Sequence, residues 1–370
     1  TLEQAVATAK SQNADLKEQQ WKTKAASWKR LEGISTYIPK LTLEGRHLFD
    51  DKLQVTSVQL GAAPPSLFPL IVPKTMATAR VTWTVFEGLQ AWNEYRASAY
   101  RFEASTLEER RRAFKIEEEI RMKFYQALAV EKLAEAASEN VAVLEGHRTD
   151  ARNQERGGTS TRYDVLRIEV QLEVAKSDKE DAEDNVVLAR IRLAEAMGTR
   201  EIPTSLEGEL PQPSLQYLDS YEKNSITTRD DVKAESLRAQ ANDEDLGASR
   251  SFWMPSVSLF GEGSYYNNTN RSITDSDSFR NAYSLGLMMK WDLFDGGKSI
   301  SKERQAYYES MESQERSRKV ENRASYELEV WKRKLKHSVS QYSAKLAEVQ
   351  KAKESVHLAR SARNAGIRTN

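Results

Sequence analysis

The residue types that most often carry chemistry are sparse and scattered in this sequence. The chain has no cysteine and only four histidines, His47, His147, His337 and His357, which are far apart. No Ser-His-Asp or Cys-His constellation can be assembled from them, and no glycine-rich phosphate loop is present. The sequence therefore predicts a protein that is not an enzyme and that binds no metal ion or other cofactor.

Two short patterns resemble ligand sites, but each has a simpler interpretation. Carboxylates cluster at Asp181, Glu183 and Asp184, without the fixed geometry that a calcium site requires. The "DGG" that follows Phe294 resembles a nucleotide-binding loop, yet its counterpart is the "EGL" that follows Phe86. The recurrence indicates that both segments are turns between a strand and a helix.

The charge of the chain is balanced, with 55 basic and 55 acidic residues and a formal net charge of +0. Without a basic field, the sequence does not favour nucleic-acid binding. No run of apolar residues is long enough for a transmembrane helix. The chain opens directly in helix-like sequence at Thr1, so we expect any targeting segment to lie outside it.

The sequence repeats itself. A shift of 216 residues aligns the early segments of the two copies, and a shift of 208 aligns the later ones. The matches fall on rare residue types: Pro39 with Pro255, Trp83 with Trp291, and Gly158 with Gly366. We therefore predict a first structural repeat at 1–198, a Pro-containing linker at 199–217, and a second repeat at 218–370. We expect the native polypeptide to continue into a second return helix.

Each repeat is predicted to contain a helix (2–36 and 218–252), two strands separated by a loop, and a very long helix. No proline interrupts the sequence from Gly88 to Gly157 or from Gly297 to Ala365, which corresponds to roughly 100 Å of helix. Small apolar residues recur in heptads on the first long helix: Ala113, Ile116, Ile120, Ala127, Val130, Ala134, Ala137, Val141 and Leu144. Only Lys123 breaks the series. Because 164–198 continues the pattern, we predict an antiparallel coiled-coil hairpin with its tip at 157–161.

The four predicted strands alternate between apolar and polar residues, which is the pattern of a sheet with two unlike faces. Such a sheet cannot close on itself, since the smallest membrane barrels have about eight strands. Three copies of the chain would supply twelve strands without an exposed edge. The residues expected to face water are Lys40, Glu44, Arg46, Arg80, Glu262, Lys290 and Asp292. Those expected to face lipid, or to form an aromatic girdle, are Trp83, Tyr265, Tyr283 and Trp291.

Three motifs resemble the TolC-type outer-membrane efflux protein family. They are "VTWTVFEGLQA" and "MKWDLFDGGKS" at the strand-to-helix junctions and "GGTSTRYDVL" at the hairpin tip. The resemblance implies a mixed, mainly α-helical fold that forms a homotrimeric channel-tunnel. Its 12-stranded β-barrel would lie in the outer membrane of a Gram-negative bacterium, and its α-helical barrel in the periplasm. It also implies a passive exit duct for efflux or type I secretion, coupled by a periplasmic adaptor to an inner-membrane transporter.

The resemblance places adaptor contacts at the helical tips. Carried over by position, they are Gly158, Thr159, Ser160, Gly366, Ile367 and Arg368. Asp164 follows the first tip and Arg368 belongs to the second, so an ion pair between them is a candidate latch for the narrow end of the tunnel.

Two other functions remain open from the sequence alone. A soluble coiled-coil scaffold without a pore would explain the heptads, although it has no use for amphipathic strands placed between helices. A simple porin would explain the strands, but it does not need helices of about 100 Å. The exported substrate is not encoded in any recognisable motif.

Overall fold

The structure is a computed structural model that describes residues 1–50, 54–59, 61, 64–69, 72–216, 226–268, 273–274 and 276–364. The elements in these ranges are α1 (Leu2–Gln12), α2 (Ala14–Ser35), β1 (Lys40–His47), β2 (Val55–Val58), β3 (Ser66–Pro69), β4 (Thr75–Glu87), α3 (Gln90–Arg156), α4 (Arg162–Met197), α5 (Asp230–Ser249), β5 (Ser256–Asn267), β6 (Phe279–Lys290) and α6 (Lys298–Asn364). None of these helices combines the length and the apolar character needed to cross a membrane.

The chain divides into two compact units. The helical unit comprises Thr1–Lys24, Ala104–Glu235 and Ser317–Asn370, and the sheet unit comprises Ala25–Glu103 and Ser236–Arg316. The structure is mainly helical, as the sequence predicts, and α3 and α6 have 67 residues each.

The core of the helical unit forms where α1 and α2 pack on α3 and α4. Its buried side chains are Ala5, Ala9, Leu16, Ile116, Ile120, Phe124, Leu128, Leu193, Ala194 and Met197. Two ion pairs connect α3 with α4: Arg152 with Glu169 at 2.6 Å and Arg190 with Glu131 at 2.8 Å. Because the residue numbers rise on one helix as they fall on the other, α3 and α4 form the antiparallel hairpin that the heptads predict.

The predicted first helix, 2–36, is two helices that meet at Asn13. The Oδ1 atom of Asn13 accepts hydrogen bonds from the backbone of Asp15 and Leu16 at the start of α2. Its Nδ2 atom donates to the carbonyl of Ala196 at the end of α4, at 2.9 Å. Gly198 follows with φ 74°, and a Cβ there would lie 2.9 Å from the Cα of Asn13. The prediction of one helix is therefore wrong, because the end of α4 packs against the break.

The sheet unit contains a four-stranded antiparallel sheet with strand order β1-β4-β5-β6. The two central strands come from different sequence repeats: Arg80 of β4 lies opposite Glu262 of β5. A β-bulge between Thr84 and Phe86 shifts the register near the end of β4.

A second, two-stranded sheet pairs β2 with β3, so that Val55 lies opposite Pro69 and Val58 opposite Ser66. The sequence predicts only a loop between the two strands of the first repeat, and this prediction is wrong for the paired residues of β2 and β3. The β-branched residues Val55, Thr56 and Val58 favour a strand, and the prolines nearby obscure that preference.

The two strand-to-helix junctions share one backbone conformation. After β4, Gly88 and Leu89 have φ 64° and 67°, and after β6, Gly296 and Gly297 have φ 73° and 85°. Two consecutive left-handed residues therefore precede α3 and α6. The sequence prediction that "EGL" and "DGG" are strand-to-helix turns is confirmed by this geometry.

The acidic residue before each of these turns caps the helix that follows. The carboxylate of Asp295 accepts hydrogen bonds from the backbone N–H and the hydroxyl of Ser299, at 2.9 and 2.6 Å. The hydrogen bond from the hydroxyl of Ser299 is the main cause of the lowered pKa of Asp295, and the bond from the backbone N–H of Ser299 lowers this pKa further. Glu87 accepts a hydrogen bond from the backbone of Ala91, four residues on, in the same relation. The acid thus satisfies free N–H groups at the positive end of the helix.

Leu89 is the only one of the four junction residues with a side chain, and this gives a testable difference. We expect Leu89→Gly to raise the free energy of unfolding by about 1 kcal/mol, because a left-handed conformation strains any residue with a Cβ atom. Gly297→Leu, the matched change in the second junction, should lower it by a similar amount. Denaturant titration of the folded protein, followed by circular dichroism, measures both. A destabilised Leu89→Gly variant would contradict the assignment.

Candidate functional site

The register of the sheet brings most of the predicted water-facing residues onto one face. Thr42 lies opposite Arg80, Arg80 opposite Glu262, and Ser256 opposite Lys290. Because side chains alternate along each strand, one face carries Lys40, Glu44, Arg46, Arg80, Glu262 and Lys290. We call this the polar face. It also carries the apolar side chains Phe260 and Met288.

Arg80 and Glu262 form an ion pair across the two central strands of the polar face. The Nε and the terminal nitrogen of Arg80 both lie 2.7 Å from the same carboxylate oxygen of Glu262. The sequence predicts both residues as water-facing charges, and the structure additionally shows them as partners. The pair joins β4 of the first repeat to β5 of the second.

Two residues that the sequence places on the last strand lie beyond its end. The alternation of residues suggests that the strand continues to Leu293, but β6 ends at Lys290. Asp292 follows the strand, and its carboxylate forms an ion pair with the ammonium group of Lys290 at 2.9 Å. Trp291 also follows the strand. The strand assignment of these two residues is corrected because the chain leaves the sheet before its turn into α6.

The opposite face of the sheet is apolar and unusually exposed. Its large apolar side chains are Leu41, Leu43, Val81, Trp83, Leu259, Tyr265, Tyr283, Leu285, Leu287 and Met289. We call this set the apolar face. Tyr283 is 91% exposed and Leu285 is 82% exposed. A continuous exposed patch of ten large apolar side chains marks a surface that contacts a membrane or another protein.

Three of the four predicted lipid-facing residues lie on the apolar face: Trp83, Tyr265 and Tyr283. The indole Nε1 of Trp83 donates a hydrogen bond to the carbonyl of Tyr37 at 3.0 Å. Tyr265 stacks on Phe279 with ring centroids 4.7 Å apart. The polar atom of the tryptophan is therefore satisfied while its ring remains partly exposed.

The first helical tip is a tight glycine turn. Gly158 has φ 73°, its N–H donates to the carbonyl of Glu155, and the N–H of Thr159 donates to that of Gln154. This pair of bonds is the Schellman motif, which ends helices at a left-handed residue. A Cβ atom at Gly158 would meet nothing within 4 Å. Gly158, Thr159 and Ser160 thus lie together at an uncovered tip.

The other predicted adaptor contacts belong to the second tip. The predicted contact residues Gly366, Ile367 and Arg368 lie outside the described residues. The adaptor contacts and the latch between Asp164 and Arg368 therefore stay predictions.

Asp164 has a local role that the sequence analysis missed. Its carboxylate accepts hydrogen bonds from the backbone N–H and the hydroxyl of Thr161, at 3.1 and 2.6 Å. The hydroxyl of Thr161 in turn accepts from the backbone of Asp164. This is a capping box at the start of α4, and the T-x-x-D spacing was its sequence signal.

Hydrogen bonding at the capping box lowers the pKa of Asp164, with the hydroxyl of Thr161 as the main cause, followed by its backbone N–H. Because the folded protein favours the carboxylate, the stability that it contributes is present at neutral pH. That contribution is lost as the pH falls through the lowered pKa.

Comparison with known proteins identifies the second part of the chain. Residues 223–370 match the sequence profile of the family described as "Outer membrane efflux protein". This match covers less than half of the chain. The family resemblance inferred from the junction and tip motifs is thereby confirmed. A search of curated protein sequences finds no match.

The chain shares its fold with solved outer membrane channels. The chain is similar to the outer membrane protein VceC from Vibrio cholerae, with a TM-score of 0.80, 16% identity and coverage of 100% of this chain and 87% of that one. The CmeC outer membrane channel of Campylobacter jejuni has a TM-score of 0.79 and 14% identity, with coverage of 100% of this chain and 77% of that one. The MtrE outer membrane channel of Neisseria gonorrhoeae has a TM-score of 0.72 and 15% identity, with coverage of 99% of this chain and 80% of that one.

Proposed function

We propose that the protein is a passive outer-membrane duct for export, built from three copies of the chain. The observation that carries the proposal is the four-stranded sheet with one polar and one apolar, exposed face. Water on one side and lipid on the other would satisfy both faces. The match of residues 223–370 to the outer membrane efflux protein family and the fold shared with outer membrane channels support the same conclusion.

The edges of the sheet support a shared barrel. Within the described sheet, β1 and β6 each have a partner on one side only. Unpaired strand edges readily pair with another chain. The strands alternate in direction from β1 to β6, so β6 of one copy can pair antiparallel with β1 of the next. Three copies of four strands would close a 12-stranded barrel in the outer membrane, with the polar face toward the lumen.

The long helices support the second part of the proposal. Three copies of the α3–α4 hairpin and of α6 would continue the duct as a helical barrel in the periplasm. The uncovered tip at Gly158 would contact a periplasmic adaptor, which in turn would connect to an inner-membrane transporter. The transporter supplies the energy, and the duct itself is passive.

The absence of cysteine gives a clean test of the shared barrel. Thr42 of β1 and Ser284 of β6 lie on the polar face at opposite edges, three strand spacings or roughly 14 Å apart in one copy. We expect a Thr42→Cys, Ser284→Cys variant, treated in membranes with a short bismaleimide, to give covalent dimers and trimers. Each single-cysteine variant is the control and should stay uncrosslinked, because the same position in neighbouring copies is four strand spacings, or roughly 19 Å, apart in the proposed barrel.

Fractionation separates the duct from the alternative, a soluble scaffold. A trimer that requires detergent and changes mobility on heating supports the duct, and ion conductance in planar bilayers confirms a pore. A monomer that stays soluble without detergent and gives no crosslinked trimers would overturn the proposal.

The latch between Asp164 and Arg368 can be tested separately from the capping role of Asp164. We expect Asp164→Ala combined with Arg368→Ala to increase single-channel conductance in planar bilayers, because the ion pair that narrows the duct is removed. Thr161→Ala is the matched control, since it removes the hydroxyl of the capping box, at a cost of about 1 kcal/mol, and leaves both charges. Equal conductance increases in the two variants would assign the effect to the cap and refute the latch.

A further inference from the structure

We propose that the groove between α3 and α4 binds an amphipathic anion, that is, a small molecule with a carboxylate or similar head on an apolar body. This inference goes beyond the duct function and does not depend on it. Lys123 is the one residue that interrupts the heptad series of α3.

Lys123 occupies a position where the coiled-coil pattern requires an apolar side chain. A lysine at such a position lowers the stability of a coiled coil. At this level of α3, the side chains of Phe124 and Leu128 are buried, because they form one core cluster with Ala5 and Ala9 of α1. Lys123 is thereby displaced to the rim of the groove, where it is half-buried.

The groove has the size of a small-molecule site, and its lining combines apolar with polar side chains. Its volume is about 560 Å³, and ligand sites in proteins span roughly 300 to 1,000 Å³. Val130 and Leu133 of α3 face Leu188 of α4 across it, together with several alanines. Gln126 and Asn185 add amide groups to this apolar wall.

The charge of the groove selects for an anion. Lys123 and Arg192 both line it, and no acidic residue does. Neither cation takes part in an ion pair or hydrogen bond within the described part of the chain. Neighbouring cations do have partners: Arg190 pairs with Glu131, and Lys179 with Glu183. Two cations without counter-ions beside an apolar wall fit an anionic head on an apolar body.

Photolabelling of the full chain in lipid nanodiscs tests the site directly. The probe is a fatty acid that carries a diazirine in its chain, and the matched control probe is the corresponding alkylamine. Peptide mass spectrometry then locates the label. We expect the acid to label peptides from both sides of the groove, and excess dodecanoate to suppress this labelling by competing for the same site. The amine should not label these peptides.

Variants identify the groups that recognise the head. Lys123→Gln combined with Arg192→Gln should reduce groove labelling about tenfold, equivalent to about 1.4 kcal/mol. Lys179→Gln is the matched control, because it removes a lysine of α4 that pairs with Glu183 and leaves the groove cations, and it should label normally. Lys123→Leu should raise the melting temperature while it reduces labelling, a combination that a purely structural lysine does not give.

Two results would overturn the inference. One is undiminished labelling of the Lys123→Gln, Arg192→Gln variant, and the other is equal labelling by the acid and the amine. If the double variant fails to fold, Ala129→Met keeps both cations and fills the groove. Full labelling of that folded variant would likewise refute the site.

Discussion

Gly88→Ala is expected to destabilise the protein by about 3 kcal/mol or more, because an added Cβ atom there makes the shortest contact of any described glycine in the sheet unit. The added Cβ atom would lie 2.6 Å from the carbonyl oxygen of Ser251 and 3.0 Å from the Cβ of Met254. The carbonyl is not free to move, because it accepts a hydrogen bond from the backbone of Met254 at 2.9 Å. The substitution thus adds a backbone collision to the strain of φ 64°.

Gly296→Ala is the matched control for this prediction. Gly296 occupies the twin position with φ 73°, but a Cβ atom there would meet nothing within 4 Å. We expect it to cost only about 1 kcal/mol, the strain of the left-handed conformation alone. Thermal unfolding followed by circular dichroism compares the two variants. Equal destabilisation would show that the contact with Ser251 does not decide the effect.

Leu285→Arg is expected to block assembly in the outer membrane. Leu285 lies midway along β6 on the apolar face, and an arginine at the centre of a bilayer costs about 2 to 4 kcal/mol. In a shared barrel, three copies of the arginine would face lipid at once. The measurement is the fraction of the chain recovered as a heat-modifiable trimer from outer membranes.

Ser284→Arg controls for this prediction, because the neighbouring residue lies on the polar face of the same strand. Its arginine would face the lumen, and assembly should be close to that of the unchanged protein. Equal loss of trimer in both variants would contradict the assignment of the two faces. Equal, full assembly of both would contradict a lipid-facing role for Leu285.

The main features of the fold could be predicted because they depend on local periodicity. The alternation of residue types along β6 is enough to assign Tyr283 and Ser284 to opposite faces of the sheet. The absence of proline likewise predicts the extent of α3 and α6 to within a few residues. Both patterns are properties of consecutive residues and need no knowledge of distant contacts.

The features that were missed depend on contacts between distant segments. The break at Asn13 is stabilised by Ala196 and Gly198 at the end of α4, more than 180 residues away in sequence. The displacement of Lys123 follows from the packing of α1 on Phe124. The capping box of Asp164 differs, because its T-x-x-D signal is local and is present in the sequence.

The pairing of β4 with β5 has a consequence for how the chain folds. The central pair of the sheet joins residues 75–87 to residues 256–267, with α3 and α4 encoded between them. A sheet whose paired strands are so far apart in sequence forms late and slowly. The chain between β4 and β5 must lose conformational entropy before the hydrogen bonds of the pair can offset that loss. During synthesis, β1 and β4 can pair with each other, but β4 emerges long before its second partner, β5, exists. We therefore expect the open edge of β4 and the apolar face to depend on chaperones that shield them from aggregation until β5 is made.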